Sequence, residues 1–309
     1  MFKFEFDFIK YFFMFFPPIQ YEQPLFRPPS EARSLILQIT SGCSWNKCAF
    51  CEMYTSKSFK FKPFDTVQQE IKQVVSSGLK FNKVFLADGD AMVLSANRLM
   101  PILNEIKTKL TKIRRISAYA RPSDFAKKTI EELKELKSAG LDLAYVGVES
   151  GDDEVLKNIN KGETFKSTVE GLLKAKEAGI KLSVMILNGL GGKELSRQHA
   201  INSAKVLNEV QPEFASTLVL SLPLGEAHFK NRYTSNFTML NKLELIEEMG
   251  IFLKQTELNQ TVFRSDHASN YLILKGILSK DKNSLLNKIK DVLSNPQLAN
   301  LREEWERGL

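Results

Sequence analysis

Three cysteines, Cys43, Cys48 and Cys51, fall within nine consecutive residues, and no other position of the 309 carries one. The spacing Cys43-x4-Cys48-x2-Cys51 brings three thiolates out of one short loop, a donor set for zinc or for an iron–sulfur cluster. An odd, tightly clustered set does not make a disulfide framework, and thiols held for a metal suit a reducing cytoplasm. A structural zinc ion would need a fourth Cys or His to close its shell. The three histidines, His199, His228 and His267, are all distant in sequence. A 4Fe–4S cube with three protein ligands instead leaves one iron open, and an open iron is useful only if a small molecule chelates it.

The elements that must position such a loop are legible as a repeating alternation. Apolar runs read as buried strands at 35–39, 84–87, 116–119, 143–148, 182–187 and 215–220. Amphipathic helical stretches lie between them at 66–75, 98–110, 129–139, 165–178 and 195–210, several ending in a Gly stop (Gly78, Gly140, Gly179). Strand–helix alternation implies parallel strands joined by right-handed crossovers. Six units are too few for a closed eight-fold barrel, so the fold class expected is α/β, a partial (β/α)6 TIM-like barrel with a C-terminal helical extension. Chemistry in such barrels collects at the C-terminal ends of the strands. The unusual residues fall there: the cysteine loop after strand one, Asp88-Gly89-Asp90 after strand two, Arg121-Pro122-Ser123 after strand three, Glu149-Ser150-Gly151 after strand four and Asn188-Gly189-Leu190-Gly191-Gly192 after strand five. The implied organisation is an aromatic and Pro-rich segment at 1–33, a barrel core at 34–223 and an extension at 224–309 that faces substrate in part.

The loop from Gly42 to Cys51 and the segment 146–162 (VGVESGDDEVLKNINKG) together resemble the radical S-adenosylmethionine (SAM) superfamily. Within it, the segment is similar to the branch containing anaerobic coproporphyrinogen oxidases and the Elongator catalytic subunit. The resemblance covers about 34–223. One departure stands out: the family usually places three residues between its first two cysteines, and here there are four. The resemblance implies that Cys43, Cys48 and Cys51 hold a 4Fe–4S cluster whose open iron binds SAM. Reductive cleavage of SAM would then yield a 5′-deoxyadenosyl radical that takes hydrogen from a substrate, the cofactor supplying the chemistry and the protein its placement. Phe50 matches the aromatic beside the adenine. Asp88, Gly89 and Asp90 match the place that receives the methionyl ammonium, with Asp where Glu is commoner. Glu149 and Ser150 match positions that reach the ribose hydroxyls, and Lys161 a cation that pairs with the SAM carboxylate. As residues alone, Ser150 also reads as a cap of the following helix and Lys161 as a solvated surface lysine. Reduced flavodoxin or ferredoxin is the electron donor the family implies.

Gly189-Leu190-Gly191-Gly192-Lys193 is not a phosphate loop, since Glu194 stands where Ser or Thr is needed; a tight turn close to SAM is expected. Ser117, Tyr119 and Ser183 are candidates for the barrel interior. Further along, Phe263-Arg264-Ser265-Asp266-His267-Ala268-Ser269-Asn270-Tyr271 reads as a polar pocket wall, with Arg264 a holder of a substrate carboxylate or phosphate and His267 a proton-transfer group. Absence of further cysteines argues against a second thiolate-bound cluster. Lys and Arg total 43 against 36 acids, a net charge of +7, which suits anionic ligands but is too dispersed to signal nucleic acid. With no aromatic-and-basic RNA module, a small-molecule substrate is expected ahead of RNA. No apolar run reaches the ~18 residues a membrane span needs, so stable membrane insertion is not expected. The opening residues lack a secretory cleavage site, in keeping with a cytoplasmic location. Eight of the 22 Phe lie in the first 16 residues, partly in strand-like alternation. That stretch reads as a membrane-surface or partner-docking arm, as a capping strand, or as residues ahead of the true start. The rival to the enzymatic reading is a non-catalytic zinc- or metal-binding regulatory protein.

Overall fold

The computed structural model describes residues 18–307; the Phe-rich stretch lies outside them. Each expected strand forms, as β1 (Leu35–Gln38), β2 (Lys83–Ala87), β3 (Arg115–Ala120), β4 (Leu141–Glu149), β5 (Lys181–Asn188) and β6 (Phe214–Val219). They pair in chain order, every neighbour parallel, with registers such as Leu35↔Val84, Val84↔Ile116 and Ser183↔Phe214. Strands covered on both faces carry near-continuous aliphatic runs, which is why these segments stood out. The crossovers hold α1 (Phe64–Ser76), α2 (Ala96–Lys109), α3 (Pro122–Ala126), α4 (Ile130–Ser138), α5 (Asp153–Asn158), α6 (Phe165–Glu177) and α7 (Gly192–Val210). Thr129 and Thr164 cap α4 and α6 through side-chain bonds to Glu132 and Ser167. Gly140 and Gly179 end the same helices at φ +107° and +82°, the left-handed turn that Gly alone adopts freely. The sheet does not close on itself, so the architecture is a partial TIM-like barrel.

Two cores result. On the helix side, Leu37, Leu86, Ala118, Val146, Val184 and Phe263 pack against helix residues such as Ile71, Leu103 and Leu207. On the inner face Phe85, Tyr119 and Tyr145 meet edge-on, with Phe85 and Tyr119 ring centres 5.0 Å apart. The Tyr145 hydroxyl donates to the fully buried Glu31 at 2.6 Å, and Arg115 pairs with that carboxylate.

The C-terminal segment contributes strands as well as helices. After α8 (Glu226–Lys230) and α9 (Lys242–Gln255), β7 (Val262–Ser265) adds to β6 in parallel. Then β8 (Leu274–Ile277) returns antiparallel before α10 (Leu278–Ser294). Four-residue strands are too short to show a period, so the sequence reads here as helix and polar wall. Residues 19–26 wrap the free edge of β1, where unpaired backbone would otherwise be exposed. Ile19 joins the helix-side core and Tyr21 and Leu25 pack on the inner face. The Gln38 side chain bonds both the backbone N–H and the carbonyl of Glu22, at 2.9 and 3.0 Å. No helix among the described residues is long and apolar enough to cross a membrane.

Phe263 is fully buried in the helix-side core, so β7 is a working part of the sheet. Phe263→Ala is expected to cost about 3–5 kcal/mol. Urea unfolding should show it as loss from a single transition. A separate, early transition for the C-terminal segment would contradict this integration.

Candidate functional site

The cysteine loop leaves β1 through a two-residue antiparallel ribbon, Thr40–Ser41 against Lys60–Phe61, that brings its two ends together. What fixes the loop to the barrel is the end of β2. Asp88 is fully buried, and one of its carboxylate oxygens accepts from Lys57 Nζ at 2.8 Å, Gln38 Nε2 at 3.1 Å and the Gly42 N–H at 3.2 Å. Lys57, itself buried, also donates to the Glu22 carbonyl at 2.6 Å. Start of loop, end of loop, β1, β2 and the edge segment thus meet at one carboxylate. Tyr54 lies beside it; burial first, and the Asp88 charge second, push its phenol far above the ordinary range.

The next two residues hold the thiol end. Asp90 accepts from the Ser44 N–H at 3.1 Å and from its hydroxyl. The Gly89 N–H donates to the Gly42 carbonyl at 3.1 Å, and a Cβ added there would lie 2.9 Å from Cys43 Cβ, so only Gly lets β2 approach this closely. Two residues between Cys43 and Cys48 are tied to other parts of the site. Asn46 turns through the left-handed region (φ +46°) and donates to the Tyr54 carbonyl at 2.9 Å. Trp45 swings outward, its indole N–H donating to the Asn160 carbonyl at 2.7 Å and its ring filling the space over Gly162, with Arg121 4.9 Å from the ring centre. Further on, the Ala49 N–H reaches the Ile159 carbonyl at 2.8 Å and Arg232 reaches the Cys48 carbonyl at 2.9 Å.

All three thiols are free and half-buried. Burial pushes each of them up, Cys48 to about 11, with the neighbouring thiols adding to the rise at Cys48 and Cys51 and Lys161 opposing it. Thiolates that feel one another beside a cation suit a polynuclear cluster, whose binding would displace the protons. Among the described residues no three His, Cys, Asp or Glu side chains come close enough to share one metal ion.

Glu149 and Lys161 stand across from the thiols, 3.3 Å apart, with Lys161 Nζ 5.9 Å from the centre of the Phe50 ring. Burial disfavours the ammonium, but the Glu149 charge and Cys48 outweigh it and its pKa stands raised. Lys161 is thus a buried partner of the site, and Glu149 takes a left-handed conformation (φ +66°) as β4 ends. Ser150 is turned elsewhere. Fully buried, its hydroxyl bonds His199 Nδ1 at 2.8 Å and accepts the Asp152 N–H at 3.0 Å at the start of α5. Burial pulls His199 down to about 4, so it is neutral near pH 7. The Gly189 turn packs on α9, its N–H donating to the buried Glu248 at 2.6 Å. His267 lies in the β7–β8 loop, where Nδ1 meets the Ser269 hydroxyl at 2.9 Å; Arg264 is exposed on β7. Cys43, Cys48, Cys51, Phe50, Gly89, Asp90, Glu149 and Lys161 are brought together; Arg264 and His267 belong to the far strands. Sequence reasoning missed Lys57, Gln38 and the Trp45–Gly162 seat. Lys57 follows the last cysteine by six residues with no motif to mark it, while an aromatic inside the lengthened spacing was a usable signal for Trp45.

Removing one partner of a buried charge pair strands the other. Lys57→Met is expected to lower stability by about 3–5 kcal/mol, and Asp88→Asn in the same chain to recover part of it. Equilibrium urea unfolding of the metal-free chain measures both. A loss under 1 kcal/mol, or no recovery in the double variant, would contradict the anchor.

Residues 37–204, more than half of the chain, match the family model for the radical SAM superfamily. The heme chaperone HemW of Bacillus subtilis is 26% identical over 172 residues, covering 52% of this chain and 44% of that one. The 4′-phospho-dehydrooxetanocin synthase of Priestia megaterium is 26% identical over 170 residues, covering 49% and 23%. The chain thus spans less than half the length of these curated relatives. Among solved structures, coproporphyrinogen III oxidase (HemN) of Escherichia coli superposes with a TM-score of 0.56 at 19% identity, covering 72% of this chain and 52% of that one. Methylornithine synthase (PylB) does so with 0.50 at 17%, covering 73% and 63%. These likenesses show a shared partial barrel, and with the family match over the cysteine loop and five strands the conclusion is direct: the chain belongs to the radical SAM superfamily.

Proposed function

We propose that this chain is a radical SAM enzyme that binds a 4Fe–4S cluster and SAM and abstracts hydrogen from a small-molecule substrate. The observation that carries the reading is the junction of three mutually influencing thiols, anchored through Asp88 and Asp90, with the half-buried Glu149 paired to the buried Lys161. When bound, the reduced cluster and SAM supply a 5′-deoxyadenosyl radical.

The chain's own residues place and shield that chemistry. Cys43, Cys48 and Cys51 would hold three irons. Gly89 gives backbone access beside Cys43, and a carbonyl of that turn would receive the methionyl ammonium. Lys161 would meet the SAM carboxylate, Glu149 the ribose hydroxyls and Phe50 the adenine. One oxygen of the Asp88 carboxylate, taken by Lys57, Gln38 and Gly42, would hold the loop, and the other, buried without a partner, would be left to face the methionyl ammonium. Ser150, buried against His199, would act by holding the end of β4. Arg264 would bind substrate and His267 would move a proton. A reduced flavodoxin or ferredoxin would deliver the electron, and a cytoplasmic setting would keep the thiols reduced.

Anaerobic reconstitution with iron and sulfide, then SAM and dithionite, is expected to give a brown protein that forms 5′-deoxyadenosine. Changing any of the three cysteines to Ala should abolish it. A colourless, zinc-loaded protein without SAM cleavage would contradict the proposal. Lys161→Met should weaken SAM binding about tenfold or more, the loss of one charge-assisted hydrogen bond, at unchanged iron content, with Lys161→Arg recovering part of the affinity. Unchanged SAM affinity would remove Lys161 from the site.

A further inference from the structure

Between β6 and β8 the inner face carries an arrangement that the cluster site does not explain. Ala215, Phe263 and Leu274 pack in the helix-side core. Strand alternation therefore turns Ser216, Arg264 and Lys275 to the inner face. Register sets them side by side, Ser216 against Arg264 and Arg264 against Lys275. Two cations directly opposite each other on one face of an antiparallel pair repel. Both are exposed. The Arg264 guanidinium donates to the Phe263 carbonyl at 2.9 Å, and among the described residues neither cation has an acidic partner.

The same row continues inward, Ser216 against Met185 and Met185 against Gly147. A Cβ on Gly147 would lie 3.5 Å from Lys161 Nζ. Three strand spacings put Arg264 about 14 Å from Gly147 along the sheet, a span that one small molecule can bridge. Phe214, 37% exposed, offers a flat apolar wall on the same face.

We propose that Arg264 and Lys275, with the Ser216 hydroxyl beside them, form an anion clamp for a carboxylate or phosphate group of the substrate. The guanidinium fork suits two oxygens of one anion, and the ammonium adds a point charge. An anion seated there turns the cross-strand repulsion into two attractions. The inference rests on the radical SAM reading for what happens at the substrate's other end, but the clamp itself needs neither cluster nor SAM.

The test is thermal unfolding of the full, unreconstituted chain with inorganic phosphate or with malonate, ionic strength held constant so that screening does not change. At least one anion is expected to raise the midpoint in a concentration-dependent way by binding the folded state. Arg264→Ala and Lys275→Ala should each lose most of that shift. Without added anion, each should unfold at or above the parent midpoint, because a repulsive pair has been relieved. A response to phosphate alone identifies a phosphate group, and to malonate alone a carboxylate. The control is Lys80→Ala with Arg114→Ala in the basic cleft of about 720 Å³ at the opposite end of the strands; it should keep the full shift. No shift with either anion, or a shift retained in both clamp variants, overturns the proposal. Loss of the shift in the control while the clamp variants keep it overturns it too. SAM cleavage is read separately, so an anion-binding chain that forms no 5′-deoxyadenosine would sink the enzymatic reading and leave the clamp standing.

Discussion

A loop that must present three thiols has little backbone pairing of its own, and here it depends on one buried ion pair. Lys57 and Asp88 meet at 2.8 Å with almost no solvent exposure, and the same carboxylate oxygen takes the first N–H of the loop and the last inward side chain of β1. Buried backbone groups must find partners. Asp88 and Asp90, two residues apart at the end of β2, supply them from side chains where no sheet ladder can. Charge is well suited to the task, because a filled buried pair tolerates few other geometries and a half-filled one is costly. The extra residue between the first two cysteines fits the same frame. Trp45, inside that spacing, seats on Gly162 and bonds the Asn160 carbonyl, which ties the cysteine loop to the turn that carries Lys161.

Much of this was readable in the linear chain, for physical reasons. The strands of the core are buried on both faces and so appear as aliphatic runs, and the Gly stops mark where helices must reverse. Thiol chemistry is legible from spacing because three cysteines in one short loop have few other uses. Roles decided by long-range pairing were hidden. Asp88 reads as a cofactor contact, but nothing in the sequence shows that one of its oxygens also takes Lys57, Gln38 and Gly42, leaving the other buried without a partner. Ser150 looked like a ribose contact or a helix cap, and its burial beside His199 depends on α7 crossing behind it. The strand at Val262–Ser265 shows its alternation only once Phe263 is known to face the helices and Arg264 the interior.

The two halves of the inner face differ in a way that bears on substrate. Under β2 to β4 it is closed by Phe85, Tyr119 and Tyr145 and by the edge segment with Tyr21 and Leu25. Toward β6 to β8 it opens and becomes cationic, with Ser216, Arg264 and Lys275 in one row. A molecule reaching from that side toward Glu149 and Lys161 would pass the cationic row first and then Met185 and Gly147. The closed half keeps water from the inner face there, as the proposed radical chemistry would require.

On the proposed function, the Asp88-anchored loop presents three thiolates to a four-iron cluster and leaves the fourth iron for SAM. Mössbauer spectroscopy of the iron-57-reconstituted chain, before and after SAM, addresses it most directly. A cubane spectrum is expected in which one iron of the four changes its isomer shift when SAM is added. A chain that assembles no cubane, or one whose four irons are all indifferent to SAM, would contradict it.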